Sequence, residues 1–319
     1  MLEFKTFSSI DLSDPFFDSL KEDYSEFKKW FNKKASQQEK AFVMYDDTKQ
    51  IQAFLYLKEE EGPIKDVTPE IPNERVLKVG TLKINAHGTK LGERFIKKIF
   101  DYALEKDIST IYVTVFSKHK LLIGLISKYG FTKSGKKTGG NGEEDVYIKS
   151  IEDLTNNDLL NYPKICKSTN KRACYILGIK PEYHTKLFPD SILQNEIIDS
   201  ESIIKDVSET NSIHKIYICR MTEAANLKRG DILAIYKMRD YTNNSPAHYN
   251  AVVTSLCVVE EVKTKKEFKS ALEFQKYCNP YSIFDTNFLN NFFRNDIVIA
   301  IKMTYNFALK RKVTRKVMI

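Results

Sequence analysis

The chain has 319 residues and a formal net charge of +8, and 42% of its residues are hydrophobic. This length and apolar content suit two domains with true hydrophobic cores, while the lack of any run of 18 apolar residues excludes a transmembrane helix and with it a membrane partner. The N-terminal residues lack the basic and apolar regions of a secretory signal. Five cysteines without Cys-x-x-Cys spacing predict reduced thiols in a cytoplasmic protein, with no metal site.

The first half of the chain predicts short, alternating strands and helices. A strand at 2–8, helices within 14–34 and a hairpin of strands at 41–45 and 50–58 come first. A further strand over 76–84 follows. This order indicates an α/β domain that opens with a hairpin-rich sheet.

A short polar loop with two glycines follows that strand and opens an amphipathic helix. The loop amides and the unsatisfied N–H groups of the first helical turn would together favour an anion such as a pyrophosphate. Gly88 and Gly92 would let the backbone approach the anion without an intervening Cβ. On the loop alone, an ordinary strand–turn–helix junction remains an equal alternative.

The helix carries an apolar stripe at Leu91, Phe95, Ile99 and Ala103, with Lys97, Lys98 and Asp101 on its other faces. A strand at 110–116 comes next, and then a second helix that begins near Lys118. That helix is expected to end with Gly130 in a left-handed cap. Two strands, 131–137 and 144–149, complete this half.

This order of elements resembles the GNAT family of acetyl-CoA-dependent N-acetyltransferases over residues 1–150. The family's loop reads roughly Arg/Gln-x-x-Gly-x-Gly/Ala, and His87-Gly88-Thr89-Lys90-Leu91-Gly92 occupies it here, while Gly130-Phe131 matches the family's Gly-Phe pair. The resemblance implies a mixed sheet, acetyl-CoA as acyl donor and an amine-bearing acceptor. The residues that it implies for acetyl-CoA binding are Leu82, Ile84, His87, Gly88, Thr89, Lys90, Leu91, Gly92 and His119.

The chain departs from the family pattern at positions that matter for catalysis. His119 stands where the family often has an asparagine, and Ile126 stands where many members have the tyrosine that protonates the departing thiolate. Glu74, just before the strand at 76–84, is a candidate base acting through a water, and Tyr129 is a candidate acid. The plainer alternatives are a solvated acidic edge for Glu74 and a packing role for Tyr129.

Residues 151–170 turn polar and are interpreted as a linker, which leaves 171–319 as a second, mostly β domain with an amphipathic helix expected over 264–278. Leu227–Leu233 form a Gly-Asp turn that feeds a strand, and a long Val-rich segment follows at 249–262. This pairing resembles the PUA-like superfamily, which includes the ASCH and EVE domains, and implies a small β-barrel that binds RNA. The fold class is therefore α+β, a GNAT-like domain followed by a PUA-like barrel; a different barrel with a Gly-Asp turn is the alternative.

The end of the chain is strongly basic, with no acidic residue after Asp296. Lys310, Arg311 and Lys312 are the candidate RNA-binding residues, because such a patch can hold a phosphate backbone; a solvated lysine-rich surface is the plain alternative. A further segment, Tyr183–Lys186, combines a base, a hydroxyl and a cation. It is interpreted either as a functional loop or as a polar loop anchored by its apolar neighbours.

Two hypotheses of different classes follow. The first is an N-acetyltransferase whose second domain recruits RNA, tRNA or an RNA-associated amine, as would suit a toxin or a defence protein. The second is a non-catalytic GNAT fold that acts as an acyl-CoA sensor or scaffold beside a nucleic-acid-reading domain. The missing tyrosine at Ile126 favours the second hypothesis, and the intact loop and helix favour the first.

Overall fold

The computed structural model describes residues 2–72, 75–85, 88–152, 162–163, 172–193, 204–239 and 251–314. By its contacts the chain divides into two compact units. The first contains Met1–His87 and Lys98–Tyr162, and the second contains Gly88–Lys97 and Pro163–Ile319. Most of the predicted linker lies outside the described residues.

The first unit is a seven-stranded mixed sheet with helices in its connections. Its strands lie in the order β1-β2-β3-β4-β5-β7-β6, and all neighbours are antiparallel except β4 and β5. This mixed α/β arrangement fits the fold that the GNAT resemblance implies. The elements are β1 Leu2–Thr6, α1 Asp18–Asp23, α2 Phe27–Ser36, β2 Lys40–Tyr45, β3 Ile51–Glu61, β4 Arg75–Ile84, α3 Leu91–Glu105, β5 Thr110–Val115, α4 Lys120–Lys128, β6 Thr132–Gly139 and β7 Gly142–Ser150.

The middle of this sheet is buried on both faces. In β5, Ile111, Tyr112 and Val113 are consecutive and all buried, so the side chains on both sides of the strand face a core. A strand that pairs with neighbours on both edges and is covered on both faces reads as a continuous apolar run, as the TIYVTV sequence does. The sheet is therefore the central layer of the unit.

The end of α4 follows directly from its sequence. Gly130 has φ +87°, so the predicted left-handed cap is confirmed. Its N–H donates to Ser127 O at 3.1 Å, and the N–H of Phe131 donates to Ile126 O at 3.2 Å. These two bonds form a Schellman motif, and the side chains of Ile126 and Phe131, the two positions whose apolar contact commonly accompanies it, are both buried.

The second unit contains a five-stranded sheet in the order β8-β10-β11-β12-β9, with β8 and β10 parallel and the other pairs antiparallel. Within the described ranges this sheet is open, with β8 and β9 at its edges, so a closed PUA-like barrel is not shown. The elements are β8 Cys174–Ile179, α5 Pro181–Leu187, α6 Ser208–Asn211, β9 His214–Cys219, β10 Ile232–Lys237, β11 Val252–Thr264, α7 Ala271–Cys278, α8 Thr286–Phe293 and β12 Ile299–Thr314.

Two helices of this unit differ from the sequence expectation. The expected loop around Tyr183 is the helix α5, which begins at Pro181, a residue whose fixed φ suits the first helical position. The helix expected over 264–278 is interrupted, and α7 begins only at Ala271. The reason is a cap, because the Ser270 side chain accepts the N–H of Glu273 and holds the preceding backbone extended.

Candidate functional site

Strands β4 and β5 lie side by side for only four residues. Their parallel ladder joins Val76–Val79 to Thr110–Val113 and stops there. Beyond it, β4 continues to pair with β3 as far as Ile84, and β5 continues to pair with β7 as far as Val115. The strands therefore separate at their carboxyl ends, where open α/β sheets place their ligand sites.

A β-bulge sits at the point of separation. Tyr56 on β3 pairs with Thr81 and Leu57 pairs with Val79, which leaves Gly80 as the extra residue of β4. A Cβ added to Gly80 would lie 2.7 Å from the Cδ1 of Tyr56, so only glycine fits beside this ring. The bulge redirects β4 away from β5. An isolated glycine in a strand pattern is the sequence signal that could have located it.

The loop between β4 and α3 depends on left-handed backbone. Gly88 has φ +83° and Lys90 has φ +57°; the intervening Thr89 is half-buried, and Ala86 and His87 lie outside the described residues. Lys90 stands where the similar family has its first loop glycine, and its positive φ gives the physical reason for that glycine. The Nζ of Lys90 lies 2.9 Å from Pro280 O and 4.3 Å from the centre of the Tyr281 ring.

We expect Lys90→Gly to be more stable than Lys90→Ala by about 1 kcal/mol. Both variants lose the ammonium contacts with Pro280 and Tyr281, but only alanine keeps the Cβ that makes left-handed backbone costly. Chemical denaturation of the two variants measures this difference directly. Equal stabilities would show that the loop does not hold φ +57° at this position in solution.

The carbonyl groups of Gly88 and Thr89 are bound by side chains of their own unit, the second. Ser208 donates to Gly88 O at 3.2 Å, and the Asn211 amide donates to Thr89 O at 3.0 Å. Farther along, the Glu93 carboxylate accepts from the Ser212 hydroxyl at 2.9 Å and from the N–H of Ile213 at 3.2 Å. The segment 208–213 thus fixes the orientation of the loop peptides.

A buried ionic cluster surrounds the first two turns of α3. Arg94 Nη2 lies 3.3 Å from one Asp190 oxygen, and Lys97 Nζ lies 3.7 Å from the other. Lys97 also lies over the Tyr305 ring, 3.9 Å from its centre. The side chains of Arg94, Lys97 and Asp190 are no more than 3% exposed. Lys97, expected on a polar face, is therefore buried, because a carboxylate and an aromatic ring replace its water.

His119 lies between β5 and α4, at the N-cap position of the helix. Its Nε2 lies 2.9 Å from an Asp23 oxygen, and Lys118 binds the other oxygen of that carboxylate. The His119 side chain is 39% exposed and that of Asp23 is 11% exposed. Asp23 is the last residue of α1, so this pair joins the end of a helix to the turn that follows β5.

An aromatic residue and a second carboxylate lie beside this pair. The Tyr24 ring packs against Phe116, with the ring centres 5.2 Å apart, and its hydroxyl donates to Glu144 at 2.7 Å. Burial and the Glu144 charge raise the pKa of Tyr24 above that of an ordinary phenol. The sequence reasoning missed Asp23, Tyr24 and Glu144; their only sequence signal was the acidic end of the helix predicted within 14–34.

The remaining candidate residues are spread over the structure. Leu82 and Ile84 are half-buried on the separated part of β4, Leu91 is buried, and Gly92 is in the first turn of α3. Glu74, like His87, lies outside the described residues. Tyr129 is fully buried against Tyr162, with the ring centres 5.7 Å apart.

Lys310 and Arg311 are exposed near the end of β12, whereas Lys312 is half-buried and donates to Leu309 O at 2.6 Å. The Gly-Asp turn adopts the expected form, with Gly230 at φ +92° and the Asp231 side chain accepting the N–H of Lys228 at 2.7 Å. Among the described residues, no three His, Cys, Asp or Glu side chains come together as a metal site. No described helix is long and apolar enough to cross a membrane.

No protein-family profile and no curated protein matches this chain. The solved structures similar to it include the Campylobacter jejuni N-acetyltransferase PseH in complex with acetyl coenzyme A, at 16% identity, covering 47% of this chain and 99% of that chain, with a TM-score of 0.31. The ribosomal-protein-S18-alanine N-acetyltransferase from Escherichia coli is 15% identical, with 49% and 98% covered and a TM-score of 0.32. A spermidine N-acetyltransferase chimera of SpeG from Vibrio cholerae and hSSAT is 16% identical, with 46% and 96% covered and a TM-score of 0.31. Likenesses of this size, spanning about half of this chain, assign it neither an activity nor a substrate.

Proposed function

We propose that this protein is an acetyl-CoA-dependent N-acetyltransferase. The observation that carries the proposal is the separation of β4 from β5 at the Gly80 bulge. A strand edge without a ladder partner presents main-chain N–H and C=O groups to an extended ligand. The pantetheine arm of acetyl-CoA is such a ligand, because it is narrow and carries two amides. Its thioester would then lie where the strands part.

The start of α3 supports acetyl-CoA as the donor on separate grounds. In a trans peptide the C=O and the following N–H point in opposite directions. Because Ser208 and Asn211 bind the carbonyls of Gly88 and Thr89, the N–H groups of Thr89 and Lys90 point away from those side chains. Together with the first N–H groups of the helix, these amides suit a pyrophosphate. Leu82, Ile84 and His119 would contact the rest of the acyl donor.

The proposed reaction is direct transfer between two bound substrates. The acceptor amine attacks the thioester carbon and a C–N bond forms. The C–S bond breaks and CoA leaves as the thiol, which gains a proton in balance with the one that the amine loses. A backbone N–H on the separated edge of β4 would stabilise the negative charge that develops on the carbonyl oxygen. Holding both substrates in this geometry removes much of the entropic cost of their encounter.

The test is acetyl-CoA binding by calorimetry followed by CoA release against spermidine, N-terminal peptides, ribosomal proteins and aminoacyl-tRNA. Binding with transfer to one of these amines is the expected result. Binding without transfer would favour the acyl-CoA sensor or scaffold, and no binding would refute both. Transfer to aminoacyl-tRNA or to a ribosomal protein is the result that a toxin or defence role predicts.

Gly92→Val is expected to weaken acetyl-CoA binding by more than about 2 kcal/mol. The added branches would stand over the first N–H groups of α3 and keep a phosphate from approaching them. Gly124→Val is the matched control, because Gly124 is also helical and a Cβ there meets no atom within 4 Å. Calorimetry that gives both variants the affinity of the unaltered protein would remove the pyrophosphate assignment.

We further propose that the second unit, as a PUA-like domain, recruits RNA through Lys310, Arg311 and Lys312. The exposed cations at the end of β12 and the observed Gly-Asp turn favour this proposal. Replacing Lys310 and Arg311 by glutamine in the full chain should flatten the salt dependence of tRNA binding by about two phosphate contacts. Lys28→Gln with Lys29→Gln on α2 removes the same charge elsewhere and is the control. Identical salt slopes for both double variants would contradict the assignment.

A further inference from the structure

We propose that His119 carries the proton in the transfer reaction and that Asp23 orients its imidazole. The inference rests on the proposed acetyl transfer. Many members of the similar family protonate the departing thiolate with a tyrosine, and Ile126 stands at that position here. We assign this role to the His119–Asp23 pair. His119 would be the catalytic residue and Asp23 a positioning residue. The geometry of the pair carries the inference.

The pair stands at the end of β5, just past the separation of the two strands. The β4–β5 ladder stops at Val113, β5 ends at Val115, and the N–H of His119 donates to Phe116 O at 3.0 Å in the turn that follows. The Asp23 carboxylate reaches this turn from α1 and meets Nε2 at 2.9 Å. An element distant in sequence therefore fixes an imidazole at the mouth of the proposed acyl site.

The contact with Asp23 also selects the tautomer. A carboxylate accepts a hydrogen bond, so Nε2 carries its proton, and the lone pair of the neutral ring lies on Nδ1. Among the described residues, the imidazole makes its polar contact through Nε2, with Asp23. Lys118 binds the second Asp23 oxygen and limits the motion of the carboxylate. Nδ1 is thus the nitrogen that can exchange a proton with a ligand.

The other candidate positions for a proton carrier are less suited to the task. Ile126 is apolar and 1% exposed. The Tyr129 hydroxyl is fully buried, and the Tyr24 hydroxyl donates to Glu144 and has a raised pKa. His119 is partly exposed, and an imidazole can accept a proton on one ring nitrogen while the other stays bound to a carboxylate.

The His119–Asp23 pair accounts for the one proton that moves from the acceptor amine to the CoA sulfur. As the acceptor nitrogen bonds to the thioester carbon, Nδ1 takes the proton that this nitrogen releases. As the C–S bond breaks, the same imidazolium returns that proton to the sulfur, and neutral CoA thiol leaves. The His119 ring ends the cycle in its starting tautomer, because Asp23 keeps the Nε2 proton throughout.

A surface ion pair with no part in catalysis could show the same distance between Nε2 and the Asp23 carboxylate, but it would have different consequences. Exposed pairs contribute little to stability and nothing to chemistry. The two cases differ in whether His119 lies within reach of the acyl group, in whether its loss changes kcat and in whether the pH profile depends on Asp23.

The placement is tested with bromoacetyl-CoA, which needs no acceptor. A nucleophile beside the acyl group displaces bromide from the CH2 carbon. It is then alkylated by the acetyl-CoA skeleton, with the thioester to CoA intact. The expected result is one label on the peptide that contains His119, prevented by acetyl-CoA, absent in His119→Asn and slower in Asp23→Asn. Bromoacetyl-CoA that binds but labels no residue near position 119 would overturn the pair while leaving the proposed function intact. No binding of either CoA ester would overturn both.

The chemistry is tested by kcat as a function of pH with spermidine and an N-terminal peptide as acceptors. His119→Asn, which restores the residue type common at this position in the similar family, should lower kcat by about 10²–10⁴-fold with little change in acetyl-CoA affinity. Asp23→Asn should lower kcat and shift the pH profile, because the amide reverses the preferred tautomer. Asp18→Asn on the same helix is the control and should change neither. A kcat for His119→Asn within threefold of the unaltered protein would overturn the proposal; an unaltered protein that binds acetyl-CoA without transferring it would overturn the proposed function as well.

Discussion

Asp190→Asn is expected to lower the free energy of unfolding by about 3–5 kcal/mol, because it leaves buried cations without their carboxylate. Arg94 and Lys97 both contact Asp190 in a region where neither side chain is more than 3% exposed. Asp190 also acts on Lys215, a fully buried ammonium whose pKa is lowered to about 7 by burial, with Asp190 opposing that shift. Denaturant unfolding of the full chain at pH 6 measures the loss.

The pH dependence of the stability lost in Asp190→Asn shows whether the loss comes from the charges of the buried cations. At pH 9 Lys215 is neutral in the folded protein, so Asp190 no longer stabilises a third cation and the loss should be smaller than at pH 6. Asp296→Asn removes an exposed carboxylate of the same size and should change stability by less than about 0.5 kcal/mol. A loss for Asp190→Asn no larger than that of Asp296→Asn would mean that the cluster is hydrated in solution.

Acid is expected to destabilise the second unit through His184. Burial lowers the pKa of this histidine from 6.5 to about 3, and the charges of Lys237 and Lys312 act in the same direction. Between these two values the unfolded chain binds a proton on the imidazole and the folded chain does not, so stability falls as the pH falls. His184 lies in α5, with Nε2 2.7 Å from the Thr254 hydroxyl, and belongs to the core. This burial favours the structural interpretation of Tyr183–Lys186.

The measurement compares unfolding free energies at pH 7.5 and pH 4.5. The unaltered protein should lose about 2–3 kcal/mol more over this interval than His184→Gln, which cannot titrate. Lys237→Met should also reduce the acid loss, but by less, because it removes one of the charges that lower the His184 pKa. Parallel pH profiles for the unaltered protein and His184→Gln would show that the imidazole is protonated in the folded state.

Local signals in the sequence were sufficient to predict the features whose interactions lie between residues close together in the chain. The apolar stripe of α3 is buried at all four predicted positions, and the cap at Gly130 and the turn at Gly230 have the expected positive φ. Each of these features is set by residues within one or two turns of one another.

The features that give the candidate site its chemistry depend on distant partners. The local sequence predicts an exposed Lys97, because the carboxylate and the aromatic ring that contact it belong to the distant residues Asp190 and Tyr305. The pairing of Asp23 with His119 joins a helix to a turn far along the chain, and neither segment carries a local sequence signal that predicts it. Periodicity reports which face of an element is apolar, but it carries no information on which polar groups meet across a fold.

The division of α3 between the two units has a consequence for synthesis on the ribosome. Arg94 is translated 96 residues before Asp190, which at about 5–20 residues per second is an interval of roughly 5–20 s. Through that interval the first two turns of α3 carry cations that lack their carboxylate, while strands β1 to β7 are already available to assemble their sheet. The amino-terminal sheet can therefore mature early, and the loop that begins α3 reaches its final form only after Ser208 and Asn211 have emerged. In a nascent chain, the peptides of this loop would therefore become fixed only after residue 211 has been translated.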